Sequence, residues 1–219
     1  ATEELDHAQQ HTPTSAKRLS DVNGLPEKEA KKLLKPVIKE LKNRFGINVY
    51  TTDENVTLEQ AVVELLLANH LTVTTAESCT GGLLSAKLIN VPGVSEVFKH
   101  GHVTYSNKAK HKLLGVKKPS LGKYGAVSET VAKEMVKGAA ASSKADVAVA
   151  ITGIAGPDGG SEEKPVGLVY IGCSVCGRVK VKEYHFSGNR NKIRENSVIA
   201  ALTLMRQCIL EYYSEVKFH

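Results

Sequence analysis

The sequence predicts an α/β fold: a three-layer α/β/α sandwich around a mixed sheet, preceded by a small α+β extension. Three observations carry this. From residue 57 onward, short β-type runs alternate with helical patterns. Two adjacent alternating runs, 166–175 and 178–186, meet at Cys176-Gly177 as a hairpin, which makes the sheet mixed. Two other runs end in glycine-rich loops, and ligand sites gather where such loops meet at one edge of an open α/β sheet.

Residues 1–24 are polar and irregular and do not have the pattern of a signal peptide. There is no initiator Met, so the chain is read as processed or as a piece of something longer. Lys28 to Phe45 is an amphipathic helix, with Ala30, Leu33, Leu34, Val37, Ile38, Leu41 and Phe45 on one face. Pro26 suits its start and Gly46 its end, while Pro36 should kink or split it. Ile47 to Thr51 reads as a short strand. A polar turn at 52–56 then sets a boundary, giving domains at 1–56 and 57–219.

The main domain opens on a capping box, Thr57-Leu58-Glu59-Gln60, and a helix that stops near Asn69. A strand at 71–75 leads through Glu77-Ser78-Cys79-Thr80-Gly81-Gly82 into a helix at 82–90, broken by Pro92-Gly93. Val97 to Tyr105 is expected as a strand and Ser106 to Leu114 as a helix closed by Gly115. Ser128 caps a helix that runs to about Ser142. The apolar run 146–151 has the character of a strand buried on both faces. After the second glycine-rich loop, 152–160, come the hairpin and a last helix whose face is Val198, Ala201, Leu202, Met205, Cys208, Ile209 and Tyr212.

Composition narrows the function. A hydrophobic fraction of 42% and a charged fraction of 24% describe a globular protein, and no apolar run reaches membrane-spanning length, so no membrane partner is expected. The net charge of +6 suits phosphate-bearing small molecules. The basic residues are spread out, with a modest cluster at Lys108, Lys110, Lys112, Lys117 and Lys118, and no nucleic-acid motif accompanies them. Cys173-x-x-Cys176 lacks the further ligands zinc requires and sits in a strand rather than at a helix start, so no metal is expected. Four thiols read as free point to a reducing, cytoplasmic compartment.

The chemistry centres on Ser78, which leaves a strand and precedes two glycines and a helix start. Helix-start N–H groups can face an anion, and glycines let a ligand approach the backbone. A serine needs a base. The histidines do not lie in the glycine-rich loops; His100, His102 and His185 fall in strands and read as structural. A lysine serves if burial lowers its pKa, and Lys108 and Lys110 both lie just past the strand ending Thr104-Tyr105. Spacing does not choose between them. Cys79 is the competing nucleophile. Thr152, Gly153, Gly156, Gly159 and Gly160 have the make-up of a phosphate cradle, and Arg190 and Arg194 could pair with a phosphate.

Six motifs then occur in order: Glu77-Ser78-Cys79-Thr80-Gly81-Gly82; Val103-Thr104-Tyr105-Ser106-Asn107 with Lys110; Gly125-Ala126-Val127-Ser128-Glu129; Thr152-Gly153-Ile154-Ala155-Gly156-Pro157; Lys164-Pro165-Val166-Gly167; and Phe186-Ser187-Gly188-Asn189-Arg190. Over about residues 57–212 the chain resembles the C-terminal domain of the competence/damage-inducible CinA family, the nicotinamide-nucleotide amidases. Residues 1–56 resemble the linker domain that precedes it. The resemblance implies hydrolysis of the carboxamide of nicotinamide mononucleotide to nicotinate mononucleotide and ammonia, without cofactor or metal. Carried over by position, Ser78 is the nucleophile and Lys110 the base, with Tyr105 as a third catalytic residue. Thr152 and Arg190, like Tyr105, match positions associated with substrate binding or catalysis, and the family's aspartate before this arginine is Asn189 here. In that reading the oxyanion sits near the N–H groups of Thr80, Gly81 and Gly82, and phosphate lies on the glycine-rich backbone at Gly153 and Gly156 and on the arginine. A homo-oligomer, a dimer or larger, is expected. The alternative is a catalytically idle member that binds a nucleotide or a protein in competence or DNA repair.

Overall fold

The computed structural model describes residues 24–216, so the irregular start read at 1–24 lies almost wholly outside the described residues. The chain divides into two units, Ala1–Ala61 and Val62–His219.

The first unit carries helix α1 (Glu27–Phe45), with Pro26 at its N-cap, Glu27 and Glu29 in its first turn and Lys42 and Arg44 in its last. This charge order complements the helix dipole. The helix runs unsplit through Pro36. The carbonyl that Pro36 leaves without a donor belongs to Lys32, on an exposed turn where water can serve it. The strand expected at 47–51 is not formed. Gly46–Asn48 is a 3-10 turn, and the extended residues after it pair with no strand. A strand needs a neighbour to take its N–H and C=O groups, and this unit supplies none among the described residues. Helix α2 (Leu58–Ala68) crosses the unit boundary and begins with the expected box: Gln60 N–H donates to Thr57 Oγ1, and Thr57 N–H to Gln60 Oε1 at 2.7 Å.

The second unit runs β1 (Val73–Glu77), α3 (Leu83–Ile89), β2 (Phe98–Val103), α4 (Asn107–Leu114), α5 (Lys118–Tyr124), α6 (Glu129–Ser143), β3 (Val147–Gly153), β4 (Leu168–Val175), β5 (Arg178–His185) and α7 (Arg190–Val216). The sheet order is β2-β1-β3-β4-β5. β1 is parallel to both β2 and β3, whereas β4 and β5 are antiparallel, so the sheet is mixed as expected. Helix α6 lies across one face, with α4 and α5 packed against it; α7 and α3 cover the other. Alternation along the strands divides the core between these faces. Ala76, Ala148 and Ala150 join Val131, Met135, Val136 and Ala139 of α6 in one cluster. β1 and β3 are buried along both faces, which is why they read as short apolar or threonine-rich runs.

Helix α5 had no counterpart in the sequence reading. It is seven residues long, with Pro119 in its first turn. One close approach fixes α4: a Cβ on Gly138 of α6 would lie 1.8 Å from the Leu114 carbonyl, so only glycine lets these helices meet. The parallel order places β2 and β3 on opposite sides of β1. The connection out of β1 therefore turns one way and the strand reached after α6 lies the other way. The crevice at the carboxyl ends of β1 and β3 is the switch point where ligands bind in such sheets.

Candidate active site

Ser78 stands at that switch point. Its N–H donates to the Ile151 carbonyl at 2.9 Å, extending the β1–β3 pairing by one residue, and Thr104 N–H donates to the Glu77 carbonyl at 2.8 Å. The chain then closes a tight turn, with Gly81 N–H on the Ser78 carbonyl at 3.1 Å. Gly81 and Gly82 have φ of 62° and 98°, the left-handed region that side chains disfavour, so both glycines are conformational requirements.

Beneath the turn is a fully buried carboxylate. Glu77 accepts from the N–H groups of Gly82, Leu84 and Ser85, at 3.0, 3.0 and 2.9 Å, and from Ser85 Oγ at 2.7 Å. It therefore holds the donors at the start of α3, and the anion-facing role expected for that helix end is filled by the protein's own side chain. Sequence reasoning gave Glu77 no role. Its signal was available: an acidic residue a few positions ahead of a helix start.

Helix α4 is capped by Ser106 Oγ, which accepts from Ala109 N–H at 3.1 Å, and it turns Lys110 inward and Lys108 outward. Lys110 is 1% exposed. Its Nζ donates to Ser78 Oγ and to the Thr104 carbonyl, both at 2.8 Å. Burial lowers its pKa from 10.5 to about 8, against a smaller opposing influence from Cys79. A hydroxyl within hydrogen-bond reach of an amine that loses its proton near neutral pH has the geometry of a nucleophile and its base. The competing nucleophile fares differently: burial pushes the Cys79 thiol up to about 11, so it stays protonated.

The other site residues sort by their partners. Tyr105 is 62% exposed, and its hydroxyl accepts from Arg190 Nη2 at 3.1 Å. Arg190 Nη1 donates to the Gly156 carbonyl at 2.8 Å. Arg194, one turn further along α7, instead donates from Nε to the Cys79 carbonyl at 3.1 Å and from Nη2 to the Thr80 carbonyl at 2.8 Å. The two arginines thus have separate tasks: Arg190 sits with an exposed tyrosine, while Arg194 is bound into the serine turn. Thr152 is fully buried and donates to the Ala126 carbonyl at 2.8 Å. Gly153 is the last residue of β3, where a Cβ would meet Val169 Cγ2 at 2.6 Å. Lys164, also without an expected role, bridges from the second loop to the Tyr124 and Val127 carbonyls. Gly81 and Gly82 direct their N–H groups at Ser78 and Glu77 respectively.

The CinA C-terminal domain description matches residues 55–209. The chain belongs to that family. Relatives of this CinA domain include a protein of Clostridium novyi (strain NT) named as competence-damage inducible, 51% identical over 179 residues, which are 82% of this chain and 43% of that one. A protein of the same name from Clostridium kluyveri (strain ATCC 8527 / DSM 555 / NBRC 12016 / NCIMB 10680 / K1) is 52% identical over 184 residues, 84% of this chain and 45% of the relative. The chain therefore spans less than half the length of these relatives. Among solved structures, the competence/damage inducible protein CihA from Agrobacterium tumefaciens superposes with a TM-score of 0.67 at 43% identity, covering 68% of this chain and 91% of that one. A CinA superfamily protein from Klebsiella pneumoniae gives a TM-score of 0.68 at 33% identity, covering 70% and 96%. Among the described residues, no helix is long and apolar enough to cross a membrane.

Proposed function

We propose that this CinA domain is an amidase that hydrolyses the carboxamide of nicotinamide mononucleotide, with Ser78 as nucleophile and Lys110 as base. The supporting observation is the buried 2.8 Å contact between Lys110 Nζ and Ser78 Oγ, with the Thr104 carbonyl orienting the amine. Neutral Lys110 takes the Ser78 proton as Oγ bonds to the amide carbon. The resulting ammonium returns that proton to the amide nitrogen; the C–N bond breaks, ammonia leaves, and the acyl group stays as an ester on Ser78 Oγ. Lys110 then takes a proton from water as the water attacks the ester, and Ser78 recovers its proton as nicotinate mononucleotide departs. Arg190 is the candidate for the phosphate, because its guanidinium reaches the exposed Tyr105 hydroxyl and is not enclosed in the serine turn. A cytoplasmic pool of pyridine nucleotides is the setting in which such a reaction recycles substrate.

The test is ammonia release from nicotinamide mononucleotide by wild type and Ser78→Ala side by side. Release by wild type alone is expected. No release by wild type at high enzyme concentration refutes the activity, and tight binding of the nucleotide without turnover assigns the chain to the idle, ligand-binding alternative.

A further inference from the structure

Between Ser78 and Ser85 nearly every backbone N–H is engaged. Ser78 donates to Ile151, Gly81 to Ser78 and Leu83 to Thr80, while Gly82, Leu84 and Ser85 donate to Glu77. The N–H of Cys79 has no hydrogen-bond partner among the described residues. Thr80 N–H has no partner among the described residues. The Thr80 hydroxyl is also fully buried and unpartnered. Polar groups in such places ordinarily find partners, so two unused donors on one residue, two positions after the nucleophile, call for an explanation.

The direction of the free N–H follows from peptide geometry. In a planar trans peptide the C=O and the N–H point opposite ways, and the only cis bond among the described residues is Gly156–Pro157. Arg194 Nε holds the Cys79 carbonyl, so the Thr80 N–H is turned away from Arg194. Arg194 Nη2 holds the Thr80 carbonyl, so the Gly81 N–H is turned away likewise, and it ends on the Ser78 carbonyl. In a four-residue turn closed this way, the N–H of the third residue faces the side chain of the first, the relation by which turn serines accept from the backbone two residues on. Thr80 N–H therefore faces the Ser78 side.

We propose that Thr80 N–H is the oxyanion donor and that Arg194 is a positioning residue that aims it by clamping the carbonyls of Cys79 and Thr80. This rests on the reading of Ser78 as an acyl-transfer nucleophile. Arg194 touches neither substrate nor reacting atoms. Its guanidinium fixes two successive peptide planes, so that a donor already points where charge develops on the attacked carbonyl. Glu77 narrows the choice, because it removes the Gly82, Leu84 and Ser85 N–H groups from competition. Of the Cys79 and Thr80 N–H groups that are left, only that of Thr80 belongs to a peptide whose carbonyl Arg194 holds.

The test compares wild type, Arg194→Gln and Arg194→Lys in two assays: steady-state ammonia release, and the rate and endpoint of Ser78 labelling by a fluorophosphonate. Loss of one oxyanion donor typically costs about 10²- to 10³-fold in kcat. Arg194→Gln is expected to lose about 10²-fold in kcat with KM within about twofold, because ground-state binding is untouched. Labelling should slow in parallel while still reaching one label per chain. Arg194→Lys, able to reach one carbonyl, should fall between. Unchanged kcat, a rise in KM at constant kcat, or a reduced endpoint with an unchanged labelling rate would each overturn the proposal, the last showing a role in folding alone. The amidase reading fails separately. Arg194-dependent labelling of Ser78 without ammonia release keeps the positioning role and rejects the substrate; ammonia release at wild-type rates by both variants does the reverse.

Discussion

Lys110 Nζ lies 2.8 Å from Ser78 Oγ although the two residues are 32 positions apart in sequence. Burial lowers the pKa of the amine to about 8, and the Thr104 carbonyl takes one of its N–H groups, so that once the proton is lost the lone pair can turn toward the serine.

The first concerns pH. With the Lys110 pKa lowered to about 8, the base is neutral above that value and protonated below it. kcat/KM for ammonia release should rise about tenfold per unit at acidic pH and level off above about pH 8. Lys110→Arg, which stays charged, should lose roughly 10²- to 10⁴-fold relative to the wild-type plateau above about pH 8, and the gap should narrow as the pH falls. A flat profile from pH 6 to 9.5 would contradict Lys110 as base.

The same group should link stability to pH. Its folded pKa is about 8 against 10.5 ordinarily, so between these values the unfolded chain binds the proton that the folded chain releases. Stability therefore rises with pH across that window, and below pH 8 the full penalty applies, on the order of 3 kcal/mol. Lys110→Met should have a more favourable Tm relative to wild type at pH 7 than at pH 10, while activity is lost at both. Calorimetry at the two pH values checks this.

Nucleophile identity separates the adjacent residues. Ser78→Ala should lower turnover at least about 10³-fold. Cys79→Ala should keep turnover within about threefold and lose about 1 kcal/mol of stability from the vacated volume, because the buried thiol stays protonated. The reverse ranking in the ammonia assay would exchange their roles.

Arg190 and Tyr105 should act on binding. Arg190→Ala removes a charge-assisted contact of roughly 1.5–3 kcal/mol, so KM should rise about 10- to 100-fold with a smaller change in kcat. Tyr105→Phe deletes only the hydroxyl that Arg190 reaches, and its KM should rise a few-fold, about the value of a neutral hydrogen bond. Initial-rate measurements across substrate concentration separate the two constants.

Helix seating can be probed away from the site. Gly138→Ala would place a Cβ 1.8 Å from the Leu114 carbonyl, so α4 must shift. A cost of about 3 kcal/mol is expected, lowering Tm by roughly 6–12 °C, with activity falling because α4 carries Lys110. Gly122→Ala has nothing within 4 Å of the new carbon and should be neutral or slightly stabilising.

Much of this arrangement was legible in the residues, and the gaps have physical causes. The glycines at 81 and 82 announced a turn because few other residues tolerate its φ values. Choosing Lys110 over Lys108 required the phase of α4. Lys110 stands four residues before Leu114, which is buried, so both share the inward face, while Lys108 is exposed. Arg190 and Arg194 are also four apart, and spacing alone could not divide them; their different carbonyl partners did. The strand β1 begins and ends two residues later than expected, because a buried glutamate at its end is tolerated only where several donors converge on it. Helix α5 went unread because seven residues are too few to show a period. The strand foreseen at 47–51 failed for want of a neighbour, which no local pattern reports.

The sheet's mixed character has a consequence for how this protein could be altered. Ser78, Thr104 and Lys110 all come from one consecutive stretch on the parallel side, β1 to α4, whereas Gly156, Arg190 and Arg194 come from the stretch that builds the antiparallel side. The reactive pair thus lies within one consecutive stretch, Val73 to Leu114, seated against β3 through the Ser78 N–H bond to Ile151. The arginines that meet it are supplied by a separate half of the chain. If the proposed amidase reading holds, changes around Arg190 and Gly156 should alter substrate choice while leaving the Ser78–Lys110 pair in place, provided Arg194 keeps its hold on the Cys79 and Thr80 carbonyls.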